Sequence, residues 1–390
     1  SKKYHLFGFP IAVAHSAAPT LHNHCFKSLG TESTYTIWST SKVTEEMLAV
    51  IQDDNCGGAA VTMPLKTAII PFLDELAPES QVTNACNTIV KVPTPEGRVK
   101  LVGQNTDILG VRNALLAALR EQHQSSTVPS DASASYPLKP ALGPFTGLVI
   151  GGGATTRSSA QALTLLGLSP IFLINRDEKE VQDVKDAMKH LEFIHLRSPA
   201  DVETHLVGEG KARILMAVGC IPSFAPQTLA ERMVYTTASA VFTIPYRIPT
   251  DTSLILPYPT QRLFLEMPYK PLETTMYKVA SAHGWYVIDG IQAMIEQGFA
   301  QQRMWLRGVA SVTVGSDPVI LGKQLEDDAR RATRAFLTDS TTRDATAVGV
   351  GKEVDRAEGR EAAVSTVSRL QRGMGLGGQG WLACDLGHYD

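Results

Sequence analysis

The stretch that most constrains the fold is "LVIGGGATTRSSAQAL", Leu148 to Leu163. A short apolar run ends in three consecutive glycines, Gly151, Gly152 and Gly153, and an amphipathic run begins directly behind them. A brief continuous apolar segment predicts a strand covered on both faces, and apolar residues three and four apart predict a helix. Only glycine lets backbone amides come close to a pyrophosphate, and the positive end of the helix behind it favours anionic charge there. Strand, glycine turn and helix in that order predict half of a dinucleotide-binding sheet, although a glycine cluster alone would also serve as a structural tight turn. Gly151, Gly152, Gly153, Ala154 and Thr155 are therefore the expected cofactor contacts. Thr156 stands where Gly or Ala closes the usual fingerprint, so the pattern is a variant one.

The chain beyond the turn fits this reading. "GLVIGGG", "SSAQALTLLGL", "PIFLINRD", "EVQDVKDAMKHL", "EFIHL" and "ARILMAV" alternate strand and helix, as a doubly wound parallel sheet requires. The second strand ends at Asn175-Arg176-Asp177. An acidic residue about 20 positions after the glycines suits a ribose hydroxyl, whereas an arginine there suits a 2′-phosphate. Arg176 can pair a phosphate or stack on adenine, but Asp177 and Glu180 would repel a dianionic phosphate by about a kcal/mol or more. NAD is expected over NADP. Asp177 could instead simply cap the next helix.

The first 120 or so residues form a separate α/β series, with "YHLFGFPI", "STYTIW", "GAAVTMP" and "NTIVKV" as strands and "TLHNHCFKSL", "TEEMLAVIQD" and "LKTAIIPFLDEL" as helices. "NTIVKVPTPEGRVKLVG" reads as a hairpin with its loop at Pro93, Pro95 and Gly97. Length, 390 residues, predicts two domains. A formal net charge of −3 gives no reason to expect nucleic acid or an anionic membrane as partner. No run approaches the roughly 20 apolar residues of a membrane span, and the first residues do not read as a signal peptide. Cys25, Cys56, Cys86, Cys220 and Cys384 are scattered and never spaced CxxC, which predicts reduced thiols in a cytoplasmic protein and no zinc site. The "HNH" of His22 and His24 points its two rings to different helix faces, so no metal is expected.

Two polar clusters at strand ends complete the motif set. "GAAVTMPLK" places Thr62, Pro64 and Lys66 where a strand stops, and "VGQNTDILG" places Asp107 at a helix start. Alone, the lysine reads as a surface charge and the aspartate as a first-turn acid. With "GFPIAVAHSAAPTLHN", "NACNT", the glycine turn and "GIQAMIEQG" they form an ordered series that resembles the shikimate/quinate dehydrogenase family over roughly residues 4 to 337. Within that family "GAAVTMP", "INRD" and "LEMPYKP" are most similar to the quinate dehydrogenases of fungal quinate catabolism.

The resemblance implies reversible oxidation of a ring hydroxyl on quinate or shikimate, with hydride passing to a nicotinamide. It implies Lys66 and Asp107 as the catalytic pair. Lysine can accept the proton if its pKa is lowered, whereas an adjacent carboxylate raises it; Lys66 is the expected acceptor and Asp107 the orienting hydrogen-bond partner, with the division of labour between them open. It further implies Ser16 as the contact to the substrate carboxylate rather than a helix cap, Thr62 and Asn87 as contacts to ring hydroxyls, and Tyr269 and Gln297 as the rest of the substrate shell. Val218 and Gly290 join the cofactor contacts near the nicotinamide. The chain departs from the family at Ala18, where a second serine is usual, at Asn84, where glycine is usual, and at Glu180, where a basic residue is usual. The expected divisions are a substrate domain at 1–121, a linker or insertion at 122–145, a Rossmann-like domain at 146–288, returning helices at 289–337 and an unstructured tail at 338–390. A monomer or homodimer acting on a small molecule is expected. The alternative is a non-catalytic quinate-sensing regulator domain derived from the same family.

Overall fold

The computed structural model describes residues 1–9, 16–123, 145–250 and 256–348. The first part of the chain builds a mixed sheet. Strands β1 (Lys3–Gly8), β2 (Thr34–Ser39) and β3 (Cys56–Val61) run parallel, β5 (Thr88–Pro93) pairs antiparallel with β3, and β6 (Val99–Gln104) returns from it as a hairpin. With β4 (Glu75–Leu76) at one edge, the order is β2-β1-β3-β5-β6-β4. Helices α1 (Ala18–Ser28) and α2 (Glu45–Gln52) form as their apolar spacing predicts; Thr44 caps α2 by accepting from the Met47 amide.

"LKTAIIPFLDEL" departs from expectation. It forms only the four-residue α3 (Leu65–Ala68), a 3₁₀ turn at Ile70–Phe72, and then β4. Pro71 removes a donor in the middle of the would-be helix, and Leu73 is already extended at φ −100°, ψ 149°. Helix α4 (Pro78–Thr83) comes next and ends at Asn84 in the left-handed region, φ 47°, ψ 44°, a conformation that asparagine tolerates better than most residues.

Helix α5 (Asp107–His123) leaves β6 and carries the chain to a second sheet that is parallel throughout. Its strands are β7 (Phe145–Ile150), β8 (Ile171–Ile174), β9 (Phe193–His195), β10 (Arg213–Gly219), β11 (Leu263–Glu266) and β12 (Tyr286–Asp289), in the order β12-β11-β10-β7-β8-β9. Helices α6 (Ala154–Leu165), α7 (Glu178–Ala187), α8 (Pro199–Leu206), α9 (Leu229–Phe242) and α10 (Thr275–Ala282) cover it. The central strands β7, β8, β10 and β11 are mostly apolar because both of their faces are buried. Val149, Leu173 and Val218 pack with Leu115 and Leu163 on one side, while Leu148, Phe172 and Phe264 pack with Val241 and Phe242 on the other. The strand order reverses between β7 and β10, and ligands of open α/β sheets bind outside such a switch point.

Two helices bind the sheets together by crossing in opposite directions. Ile108 and Leu115 of α5 belong to the second sheet's core. Helix α11 (Gly290–Arg307) starts from β12, and its Met304 and Trp305 pack among Tyr4, Phe26 and Val90 of the first sheet. The short α12 (Val312–Gly315) and the long α13 (Lys323–Val348) finish the fold. Regular structure was expected to stop at 337; α13 instead runs on to Val348. It is anchored to α11 by ion pairs of Glu326 with Arg303, Arg330 with Glu296 and Arg334 with Asp289. Most of the expected linker, the tail beyond 348, Cys384 and residues 10–15 of the opening motif lie outside the described residues. Among those described, no helix is long and apolar enough to cross a membrane, and no His, Cys, Asp and Glu cluster could hold a metal.

The crossing of α5 and α11 is close because Gly110 has no side chain: a Cβ there would lie 2.6 Å from the Ala293 carbonyl oxygen. Gly110→Ala should therefore destabilise the chain by about 1–3 kcal/mol despite alanine's better helix propensity, as measured by urea unfolding.

Candidate active site

The substrate-side motifs converge because three strand ends meet. Ala60 of β3 pairs with Thr88 of β5, and Thr88 pairs with Gln104 of β6, so the turns after β3 and β6 and before β5 share one edge. Lys66 on α3 and Asp107 at the start of α5 form an ion pair there, Nζ to Oδ2 3.0 Å, with side chains 9% and 13% exposed. The other carboxylate oxygen, Oδ1, accepts from Asn87 Nδ2 at 2.9 Å. Asn87 Oδ1 in turn accepts from the Thr88 hydroxyl at 2.7 Å and the Thr106 amide at 2.8 Å. Gln297 of α11 closes the cluster, its Oε1 lying 3.3 Å from Asn87 Nδ2 and accepting from Thr106 Oγ1 at 3.2 Å. Of the expected site residues, Lys66, Asp107, Asn87 and Gln297 are thus in one hydrogen-bonded group. Thr62 is half-buried directly after β3.

The remaining expected substrate contacts are Tyr269 and Ser16. Tyr269 packs on the apolar cluster of Ala17, Leu21 and Ile291, which joins the start of α1 to α11. Ser16 Oγ accepts from the Ala18 amide at 3.2 Å, but the N-cap of α1 is Ala17 and the helix has no side-chain cap. Ala18 is buried among Tyr4, Leu6 and Phe26. Cys86, beside the motif, is a buried thiol that burial pushes up to about 12, in keeping with a small core hydrophobe.

The glycine turn lies at the C-terminal end of β7. Gly151 has φ +150°, and a Cβ there would sit 2.6 Å from Thr156 Oγ1, so the threonine that breaks the fingerprint fills the space beneath the glycine. Helices α7, α8, α9, α10 and α11 are each capped by a side chain, from Asp177, Ser198, Thr228, Thr274 and Asp289. Helix α6 is not: its N-cap is Gly153, and no side chain accepts from its first amides. Those donors are left for an anion. The residues present therefore fit a dinucleotide pyrophosphate.

At the end of β8 the acidic residues differ in role. Asp177 caps α7, accepting from the Lys179 amide at 2.8 Å. Glu180 turns back toward the glycines, its Oε2 accepting from Asn175 Nδ2 at 2.8 Å, and a Cβ on Gly152 would meet that same oxygen at 2.5 Å. Burial raises the Glu180 pKa. Arg176 is ion-paired with Glu231 of α9. Val218 needs correction: its side chain is fully buried in the core of the second sheet, so it offers no surface to a cofactor. Gly219, the last residue of β10, is buried as well. Gly290 is required by packing, since a Cβ there would lie 1.9 Å from the Met267 carbonyl oxygen.

Several residues of this region were not singled out from the sequence. Thr106 lies inside a quoted motif, but only Asp107 drew attention there. Glu266 had a signal, an acid closing the apolar run "LFLE". It is 1% exposed, and a Cβ on Gly219 would lie 1.9 Å from its Oε2. Oε1 accepts from Thr274 Oγ1 at 2.7 Å, and burial pushes the pKa up to about 8.

Comparison with known proteins gives the arrangement its relatives. Residues 6–89 match the family model of the shikimate dehydrogenase substrate binding domain. The dehydroquinate dehydratase and shikimate dehydrogenase of S. pombe superposes with a TM-score of 0.61 at 26% identity, over 85% of this chain and 52% of that one, so this chain spans about half its length. Residues 6–89 thus resemble the substrate-binding domain of the shikimate dehydrogenase family, and the fold as a whole is that of solved shikimate dehydrogenases. Members of that family are NAD(P)-dependent oxidoreductases acting on CH–OH groups. Two further structures share the fold. Thermus thermophilus shikimate 5-dehydrogenase, in complex with NADP(H) and shikimate, gives a TM-score of 0.53 at 24% identity over 85% of this chain and 100% of its own. Corynebacterium glutamicum quinate dehydrogenase, in complex with NAD, gives 0.58 at 18% identity over 86% and 99%.

Glu266 makes the cofactor-side edge sensitive to pH. Folded, its carboxyl keeps a proton up to about pH 8, whereas the unfolded chain releases it near the ordinary 4.5, so raising the pH between these values favours unfolding. Glu266→Gln keeps an acceptor for Thr274 but has no proton to lose. Its stability relative to wild type should rise by about 1–3 kcal/mol from pH 5 to pH 8 in urea unfolding.

Proposed function

We propose that the chain is an NAD-linked dehydrogenase of quinate, or of quinate and shikimate. The observation that carries this reading is the nearly dry Lys66–Asp107 pair, 3.0 Å apart, beside a strand end lined with hydrogen-bonding groups. A buried ion pair is at best a weak source of stability, so its presence at the mouth of a sheet calls for a chemical use. NAD, when bound, supplies the acceptor for the hydride. The rest of the reaction falls to this chain. Lys66, in the form that has released its own proton to solvent, takes the proton of the ring hydroxyl at Nζ as carbon loses hydride, and returns it in the reverse direction. Asp107 holds Nζ in place and is itself held by Asn87. Asn87, Thr62, Gln297 and Tyr269 orient the ring hydroxyls, and Ser16 binds the carboxylate. The glycine turn and the uncapped start of α6 receive the pyrophosphate.

Preference for NAD over NADP is supported by charge. Glu180 lies against the glycine turn, and Arg176, the cation that would greet a 2′-phosphate, is already paired with Glu231. Asp177 is committed to capping by one oxygen, with the other available for a ribose hydroxyl. The four described cysteines are free and buried, which suits a cytoplasmic chain acting as a monomer or homodimer.

The purified chain mixed with quinate or shikimate and NAD should form NADH, read by absorbance. A chain that quinate stabilises against heat but that reduces neither NAD nor NADP would overturn the enzyme reading. Lys66→Ala should lower turnover by about 10²-fold or more while NADH still binds, as followed by its fluorescence. With the better acid, kcat/KM should favour NAD over NADP by about tenfold or more, and Glu180→Ala should narrow that ratio. A native preference for NADP would refute the part assigned to Glu180.

A further inference from the structure

We infer that Arg157 and Ser158 of the glycine-turn helix are positioning residues for the Lys66–Asp107 pair, acting through Asn105 and the 83–87 turn. The inference rests on the dehydrogenase reading and gives the cofactor-side helix α6 a task in the chemistry apart from holding a nucleotide. Asn105, 1% exposed, is the hub. Its Oδ1 accepts from the Asp107 amide at 3.2 Å, so it sets the turn that presents the carboxylate. Its Nδ2 donates to Thr83 Oγ1 at 2.8 Å and to Ser158 Oγ at 3.0 Å. Ser158 is fully buried, and its hydroxyl hydrogen goes to the Ala154 carbonyl one turn back, at 3.2 Å.

The neighbouring residue grips the other half of the site. Arg157 Nε donates to the Thr83 carbonyl at 2.6 Å and Nη2 to the Asn84 carbonyl at 3.3 Å. These carbonyls end α4, where a cation is favourably placed. Two residues further along, the Cys86 amide donates to the Lys66 carbonyl at 2.8 Å, and Asn87 donates to Asp107 Oδ1. Consecutive residues of one helix therefore hold both segments that carry the pair, the 83–87 turn and the 105–107 turn. Nothing in pyrophosphate binding asks for a buried serine or for an arginine directed at another domain's carbonyls. Proton transfer does require such placement, since a misplacement of about 1 Å can cost about 10²-fold in rate.

The test is a double-mutant cycle on the full chain, with quinate and shikimate as probes. Ser158→Ala should lower kcat by about five- to tenfold, with the Kd for NADH and the KM for NAD changed less than about twofold. Because the effect runs through Asp107, Ser158→Ala introduced into Asp107→Asn should lower the residual kcat by less than about twofold. Arg157→Ala should behave alike, and Arg157→Lys should recover part of the loss, which supplies an independent reading if the serine site repacks. An unchanged kcat in Ser158→Ala and Arg157→Ala, or an undiminished loss in the Asp107→Asn background, overturns the positioning role. A wild-type chain that turns over neither acid overturns the dehydrogenase reading itself; active wild type with unmoved variants overturns only this inference.

Discussion

Lys66 is 7% exposed, and a lysine ammonium so far out of water is tolerable only with an opposite charge beside it. Asp107 meets that requirement at 3.0 Å, and much of the surrounding architecture serves to keep the two together. They are 41 positions apart, one on a four-residue helix and the other at the first residue of α5, and neither element could hold the pair by itself. The mixed sheet solves the problem. An antiparallel hairpin, β5 to β6, returns the chain so that the residue before β5 and the residues after β6 stand side by side. Antiparallel pairing of β5 with β3 then places the end of β3, and hence Lys66, next to both. In a wholly parallel sheet the ends of β3 and β6 would still share an edge, but the start of β5 would lie at the opposite one. The reversed strand β5 is what brings Asn87 to Lys66 and Asp107.

The second sheet uses the opposite arrangement for the opposite purpose. All of its strands are parallel, so their C-terminal ends form one edge, with Ile150, Gly219, Glu266 and Asp289 in register across it. Helix α11 joins this edge to the first. Gly290 opens α11 against the Met267 carbonyl, and Gln297 reaches the Asn87–Thr106 cluster two turns later. Seven residues of helix rise about 10 Å, which sets the separation along α11 between Gly290 at the edge of the second sheet and Gln297 at the Asn87–Thr106 cluster. Glycine at 110 brings α5 and α11 together, and α13 braces α11 from outside through Glu326, Arg330 and Arg334. The geometry between the two edges therefore depends on helix packing and not on a flexible loop.

Much of this was legible in the sequence, and the boundary of legibility has a physical basis. Hydrophobic period and glycine placement disclosed both sheets, the hairpin and the glycine turn, because these are local consequences of burial. Ordered motifs brought Lys66, Asn87, Asp107 and Gln297 to one site. The features that stayed hidden depend on partners distant in sequence or on competition between two good local choices. Asp177 could serve a ribose or a helix, and the helix has taken one oxygen. Val218 looked like a residue of the sheet edge, but strand alternation turns it into the core, which no motif records. "LKTAIIPFLDEL" has helical spacing, yet one proline outweighs it. The bond from Asn105 to Ser158 spans 53 positions and two domains, and no local pattern carries such information.

On the proposed chemistry the site also keeps its charge constant. Lys66 must be neutral to accept the hydroxyl proton, and beside Asp107 the lysine–aspartate unit then carries one negative charge. When the proton arrives, that unit becomes neutral. A bound oxidised nicotinamide would supply the hydride acceptor and would lose its own positive charge in doing so, so the charge summed over it and the lysine–aspartate unit would not change. In surroundings of low dielectric a step that altered the local charge would cost far more than in water. Asn87 donates to Asp107 Oδ1, the oxygen that does not face Lys66, and so holds the carboxylate independently of the lysine. A fixed acceptor and a conserved sum of charge leave little to reorganise during the reaction, which is the condition under which a buried pair accelerates chemistry instead of merely surviving burial.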